Sequence, residues 1–286
     1  MFTRILLLAV LFVGSAQAQT IVFQNGWEGN ASPGCDFAKL SDNSAWNDYG
    51  PGSTCSVTPP VAEIVNNERF AGNASVKVNF LPDGSGNGPD FRIIRHLGQN
   101  HTEIYARWYV KWSNNWVFAG GDHKVAIFGF GNQATQDIYY NIRGNADRSG
   151  RVTIHSIPAD TALSDRSFRV TPGVWHLCEI HIVSGPNGRV EAKMDGQLLN
   201  LTTEAGNTVS ANNLNTGSGV GYIKLDTTYN IYSFPSSLGL TMATWYDDVA
   251  VATGGWIGGP LPSGGGSDGG TSPAAPSAPT RLRVVP

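Results

Sequence analysis

The sequence predicts an all-β protein, a two-sheet antiparallel sandwich, and three observations carry that expectation. Glycine is abundant, at 35 residues, while charged residues make up only 14%. The turn dipeptides Asp83-Gly84, Asn87-Gly88, Asn187-Gly188 and Asp195-Gly196 recur at short intervals. No stretch holds a 3.6-residue apolar period over three turns, whereas several hold a period of two. Tight turns join short strands, and a period of two sends alternate side chains to opposite faces of a sheet.

The two ends of the chain stand apart from this pattern. Arg4, the apolar run 5–13 and the small residues Ala16 and Ala18 make residues 1–18 a secretory signal. That run is too short to span a bilayer as a helix, and nothing later is longer. A secreted protein, extracellular or periplasmic, with no membrane partner is expected. Residues 19–256 are expected to form one domain, since a single sandwich commonly reaches about 200–250 residues. Residues 257–286, rich in Gly, Ser and Pro, bury too little apolar surface to fold and read as a flexible tail.

Cys35 and Cys55 bracket a loop rich in Gly, Ser, Asn and Pro. In an oxidising compartment a disulfide there is expected, stabilising by about 3 kcal/mol. Cys178 alternates with Ile180 and Ile182 and reads as a buried, inert thiol. A monomer is expected.

The net charge of −3 offers no global basic field for a nucleic acid. Its distribution is uneven: residues 92–155 hold eight Lys and Arg against four Asp and Glu, a local +4. A basic middle in an acidic chain suits an anionic ligand, although ordinary scatter of solvated surface charge accounts for it as well.

The clearest strand spans 103–112, where Ile104, Ala106, Trp108, Val110 and Trp112 alternate with Glu103, Tyr105, Arg107, Tyr109 and Lys111. One face is core and the other polar. Tyr105, Arg107, Tyr109 and Lys111 are therefore candidates for flooring a binding groove, with cross-strand packing as the plainer account of the tyrosines. Residues 139–143 and 151–155 flank a turn containing Gly144, Asn145 and Gly150 and read as a hairpin. If Tyr140, Ile142, Val152 and Ile154 face the core, then Tyr139, Asn141, Arg143, Arg151, Thr153 and His155 share the opposite surface. Every sandwich has a polar outer face; the mixture of Arg, His, Tyr and amide is what singles this one out. Residues 174–183 and 189–194 predict a second hairpin, and 242–252 the last long strand. Trp112 and Trp116 have the chemistry to stack on a sugar, but core packing is the simpler use of both. His101 and His123 read as solvated loop residues near strand ends.

Several chemistries are missing. There is no Glu-x-Asp-x-x-Glu strand and no other convincing carboxylate pair for a glycosidase. Glu191 and Asp195 come nearest, and the Asp-Gly turn explains Asp195. Asp247 and Asp248 are adjacent, so a regular strand sends them to opposite faces, with one left to tether backbone. No nucleophile elbow, phosphate loop or metal-ligand spacing occurs, and neither metal nor cofactor is expected.

Lyases of uronate polysaccharides need other groups: a cation or amide to neutralise the uronate carboxylate, a base for the C5 proton and an acid for the leaving oxygen. Arg, Asn, Lys, His and Tyr supply these, and they populate the polar surface deduced above. The run Glu103-Ile-Tyr-Ala-Arg-Trp-Tyr-Val-Lys-Trp-Ser, followed by Gly120-Gly-Asp-His-Lys-Val, resembles the central part of the jelly-roll polysaccharide lyases typified by the family 14 alginate and glucuronan lyases. Gly173-Val-Trp-His-Leu-Cys-Glu-Ile and Trp245-Tyr-Asp-Asp-Val are similar to the wider concanavalin A-like superfamily.

The resemblance implies a concanavalin A-like β-jelly roll acting on an anionic polysaccharide by β-elimination, with Lys124 in the place of the family's catalytic lysine. It also matches Asn141 and Arg143 to the polar residue and Arg of the next strand. Where the family has two tyrosines, this chain has Thr153 and His155. The expected assignment is Arg143 and Asn141 on the carboxylate, Lys124 or His155 as base, and Tyr139 or Tyr109 as acid, with Tyr105, Arg107, Tyr109, Lys111, Arg151 and Thr153 binding substrate. A lectin-like carbohydrate-binding domain using the same surface, and a glycoside hydrolase, are the alternatives.

Overall fold

The computed structural model describes residues 19–27, 48–50, 60–80, 92–118, 121–130, 137–156, 161–203, 219–226 and 238–260. The expected signal at 1–18, the Cys35 and Cys55 pair and the Asp83-Gly84 and Asn87-Gly88 turns lie outside these residues. Sixteen strands are described and, among the described residues, no helix. In chain order they are β1 (Thr20–Asn25), β2 (Asp48–Gly50), β3 (Ala62–Val65), β4 (Ser75–Phe80), β5 (Arg92–His101), β6 (Glu103–Trp112), β7 (Asp122–Phe130) and β8 (Asp137–Gly144). There follow β9 (Gly150–Ser156), β10 (Thr161–Ser164), β11 (Trp175–Val183), β12 (Arg189–Met194), β13 (Gln197–Leu198), β14 (Thr202–Thr203), β15 (Val220–Asp226) and β16 (Met242–Thr253).

They pair antiparallel into two sheets. One runs β13-β12-β11-β6-β16-β4-β3, with β1 also on β16; the other runs β14-β10-β9-β8-β7-β15-β5-β2. The strand expected at 103–112 is β6, and the two expected hairpins are β8–β9 and β11–β12.

The inward faces carry the alternating apolar residues read from the sequence. Trp108 of β6 meets the edge of Tyr140 of β8 at 4.9 Å and packs on Phe128 of β7 at 6.0 Å. The Tyr140 hydroxyl crosses the interior to donate to the Lys193 carbonyl of β12 at 3.4 Å, so a polar tip on a core aromatic finds a partner in the opposite sheet. Cys178 is a buried free thiol. Trp112 and Trp116 are core residues, as the simpler reading held. His123, expected in a solvated loop, is instead fully buried. Because β7 already starts at Asp122, alternation turns His123 inward, where its Nδ1 accepts a hydrogen bond from Trp112 Nε1 at 3.0 Å.

The outer face of the first sheet holds Tyr105, Arg107, Tyr109 and Lys111, and it is extensively covered. Phe70 stacks on Tyr109 at 3.7 Å, and Glu68 pairs with Lys111 at 2.9 Å. Asp247 Oδ2 accepts from the Phe70 and Ala71 amides at 2.8 and 3.1 Å, tethering that loop. A shift in register between Asp247 and Ala250 and a positive φ of 41° at Asp248 bring Asp248 to the same face, where it pairs with Arg107 at 2.8 Å. The expectation of opposite faces for Asp247 and Asp248 thus fails at a bulge.

Residues 254–260, of which 257–260 were read from composition as the start of a flexible tail, form a strap across this face. Arg107 donates to the Gly258 carbonyl. The Gly258 amide donates to Glu179 at 3.0 Å, and the Tyr109 hydroxyl to the Pro260 carbonyl at 2.9 Å. A Cβ on Gly259 would lie 2.2 Å from the Tyr109 hydroxyl, so close approach requires glycine there. Trp256 anchors it: the ring meets Tyr105 edge-on at 5.5 Å and lies under the Lys193 ammonium at 4.0 Å.

Beneath the strap, buried His181 bridges two carboxylates, Glu103 at 2.8 Å and Glu191 at 2.7 Å, and stacks on Tyr105 at 4.1 Å. Burial works to raise the Glu103 carboxyl, but hydrogen bonds from His181 and Tyr105 and the charges of His181 and Arg189 outweigh it and hold the group below its usual 4.5. A depressed carboxyl stabilises the fold above its unfolded-state pKa, and that contribution is lost as pH falls through the folded value. Trp256 fluorescence should therefore change as pH drops below about 4.5, ahead of global unfolding by circular dichroism, and Glu103→Gln should remove this early step. A profile identical in wild type and variant would show that the strap does not depend on Glu103.

Candidate functional site

The outer face of the second sheet is set by the ladder between β7 and β8. Its register pairs Asp122 with Arg143, Lys124 with Asn141, Ile127 with Tyr139 and Gly129 with Asp137. A bulge between Lys124 and Ala126 changes the parity, so Asp122 and Lys124 before it and Ile127 and Gly129 after it share one face. On the other side of β8, Arg143 pairs with Arg151, Asn141 with Thr153 and Tyr139 with His155. Lys124, Tyr139, Asn141, Arg143, Arg151, Thr153 and His155 thus stand on one surface, built by three consecutive strands.

Tyr139 is at the centre. The Lys124 ammonium lies 5.4 Å from its ring centroid, and the His155 ring is 5.8 Å away. The other four candidate binders, Tyr105, Arg107, Tyr109 and Lys111, belong to the opposite sheet and turn away from this surface. β6 supplies core to the sandwich from the other side, so its polar face cannot floor the same site. Tyr109 is therefore no candidate for the acid.

The two arginines are already engaged. Asp122 grips Arg143 with two parallel bonds, Nε to Oδ1 at 2.7 Å and Nη2 to Oδ2 at 2.9 Å. This fork fixes the guanidinium plane and neutralises part of its charge. Arg151 donates to the Gly144 carbonyl at 3.3 Å and to the Asn145 side chain. It ties the β8–β9 turn, a structural use that sequence reading did not assign.

The row Lys124, Asn141, Thr153, Ser164 runs straight across four strands. Asn141 Oδ1, Thr153 Oγ1 and Ser164 Oγ are all buried without a hydrogen-bond partner. Buried polar atoms are nearly always paired, and leaving one unpaired costs about 1–3 kcal/mol. Three in one row mark a polar strip whose bonding capacity the protein itself does not fill. Ser164 was missed by the sequence reading because its strand is only four residues long, too short for a period to register.

Asp122, Asp137, Tyr222 and Lys224 were also missed. Asp122 was legible in principle, two residues ahead of Lys124 on one strand. Tyr222 and Lys224 alternate along β15, and Tyr222 pairs with Gly129, so they join the same face. The Tyr222 hydroxyl donates to Asp137 Oδ1 at 2.7 Å. Asp122 and Asp137 are the carboxylates named on this face, and they sit at opposite ends of the β7–β8 ladder, each committed to another side chain. They do not form the flanking pair a glycosidase uses. Glu191 and Asp195 do not form one either: Glu191 holds His181, while Asp195 holds His176 at 2.8 Å and the Leu177 amide at 2.9 Å. Among the described residues no group of three His, Cys, Asp or Glu is placed to hold a metal ion.

No protein-family model matches the sequence, and no curated protein does. Solved structures do. A mutant of the alginate lyase Aly36B, in complex with an alginate trisaccharide, superposes with a TM-score of 0.58 at 12% identity, covering 83% of this chain and 98% of that one. A marine PL-14 alginate lyase from Aplysia kurodai gives 0.55 at 10% identity, over 81% and 98%. The cellulose-induced protein Cip1 gives 0.50 at 15% identity, over 80% and 100%. At such identities the likeness is one of architecture: the chain has the antiparallel β-jelly-roll fold found in jelly-roll polysaccharide lyases.

Proposed function

We propose that this protein is an exported, monomeric polysaccharide lyase that cleaves a uronate-containing polymer by β-elimination. The observation that carries the reading is the convergence of Lys124, Asn141, Arg143, Tyr139 and His155 on one sheet face, with no pair of opposed carboxylates among the described residues. The alginate trisaccharide held by the fold neighbour Aly36B supports an acidic polymer as substrate.

In the proposed reaction, Lys124 or His155 removes the proton at C5. Asn141 and Arg143, whose guanidinium plane Asp122 fixes, neutralise the uronate carboxyl, into which the developing charge delocalises. The electron pair then forms the C4–C5 double bond, the C4–O bond breaks, and Tyr139 protonates the departing oxygen. No water is consumed, and no metal or other cofactor is invoked.

The test is ultraviolet absorbance of the unsaturated uronate product, using purified protein on alginate, glucuronan, pectate and glycosaminoglycans beside Arg143→Ala. A rise on one polymer, reduced about a hundredfold by the substitution, is expected for a group that contacts the reacting carboxyl. Binding of a polymer with no absorbance change on any would instead establish the lectin-like alternative.

A further inference from the structure

We infer that the face carries a second, non-reacting uronate subsite, with the Tyr222 ring as its floor and Lys224 as its anion contact. The inference rests on the lyase reading for its ligand, but on separate residues for its geometry.

The Tyr222 ring lies across Gly129. A Cβ built on Gly129 would fall 1.8 Å from Cζ and 2.0 Å from Cε1 of that ring, so no other residue fits beneath it. From there the hydroxyl reaches over β7 to Asp137 of β8 at 2.7 Å. Asp137 is itself buried, and the His96 ring flanks Tyr222 edge-on at 5.9 Å. The ring is therefore pinned from below, at its tip and along one side, while Tyr222 as a whole stays partly exposed. A pre-oriented aromatic face on a polar surface matches the C–H face of a pyranose at little entropic cost.

Lys224, two residues further along β15, lies on the same face, paired with Ile127. Two residues of strand span about 7 Å, a reach that suits a carboxylate on the ring seated over Tyr222 or on its neighbour. Along β7, Gly129 is the far end of the ladder from Asp122, with Lys124 between them and Ile127 beside the centre. The subsite thus lies beyond the reacting ring and is filled only by a chain long enough to extend past Tyr139.

The experiment measures affinity for a size series of acidic oligosaccharides from whichever polymer the protein cleaves, in a Lys124→Ala/His155→Ala background that removes both candidate bases. Tyr222→Ala should weaken binding of the longer oligosaccharides about tenfold, with a loss that grows along the series. Tyr222→Phe, which keeps the ring but gives up the Asp137 bond, should retain most of the affinity. Gly129→Ala, whose methyl displaces the ring without altering residue 222, should reproduce the Tyr222→Ala length profile. Circular dichroism of each variant separates misfolding from loss of the subsite. A length profile for Tyr222→Ala parallel to that of the parent overturns the subsite alone, provided the wild type still cleaves the polymer. If no acidic polymer is bound or cleaved by the wild type, the lyase reading itself fails.

Discussion

Lys124→Ala should lower kcat for β-elimination by at least about a hundredfold while changing KM far less, because proton transfer by a positioned side chain is worth about 10²–10⁴ in rate. The expectation follows from position. Lys124 is the last residue before the β7 bulge, opposite Asn141 and 5.4 Å from the Tyr139 ring, so base, amide and phenol surround one point on the sheet. His155 reaches the same phenol from the other side, which makes the paired variant informative. If His155 is the base, His155→Ala will carry the larger loss and Lys124→Ala will act mainly on KM through lost charge. Initial-rate kinetics on the cleaved polymer distinguish the two, and an unchanged kcat in both variants would remove this face from the chemistry.

Thr153→Val should move stability and activity in opposite directions. The Thr153 hydroxyl is buried without a partner, and valine keeps the shape while removing the unpaired oxygen. Relieving such a group is worth about 1–3 kcal/mol, or roughly 2–4 °C in Tm per kcal/mol for a domain of this size. If the strip of Asn141, Thr153 and Ser164 serves a ligand, the same variant should bind polymer more weakly. Thermal unfolding with and without oligosaccharide reads both quantities in one experiment. A lower Tm in the free protein would mean that the hydroxyl is satisfied after all. A higher Tm with undiminished ligand stabilisation would make the strip a structural oddity and not part of the site.

The parts of the fold written in period-two patterns were legible. β6 was bounded correctly, and the β8–β9 alternation alone brought Tyr139, Asn141, Arg143, Arg151, Thr153 and His155 onto one face. What alternation within a strand does not specify is which sheet that strand joins. β6 has the cleanest pattern in the chain, and its Tyr105, Arg107, Tyr109 and Lys111 were drawn into the site although β6 lies in the other layer. That choice is made by long-range pairing with β11 and β16. Bulges were equally invisible: one residue of extra backbone brings Gly129 onto the face with Lys124 and Asp248 onto the face with Asp247. The Asp122 clasp on Arg143 was hidden for another reason, since a cross-strand ion pair requires knowing the register of two strands about 20 residues apart. Residues 257–260 show the limit of composition, since the strap they form with Trp256 is held to Arg107, Tyr109 and Glu179 although its Gly and Pro content reads as loose.

The strap and the 66–73 loop leave the two broad surfaces of the sandwich unequal. Among the described residues, one is covered by its own chain, while the other carries the partly exposed Lys124, Arg143 and His155 beside the buried Asn141. A molecule that binds through that face alone is monovalent toward a polymer: it engages one strand at a time and cannot by itself bridge two. Mixed with a concentrated acidic polysaccharide it should shorten or coat chains without gelling or agglutinating them, and any cross-linking would have to come from a second copy.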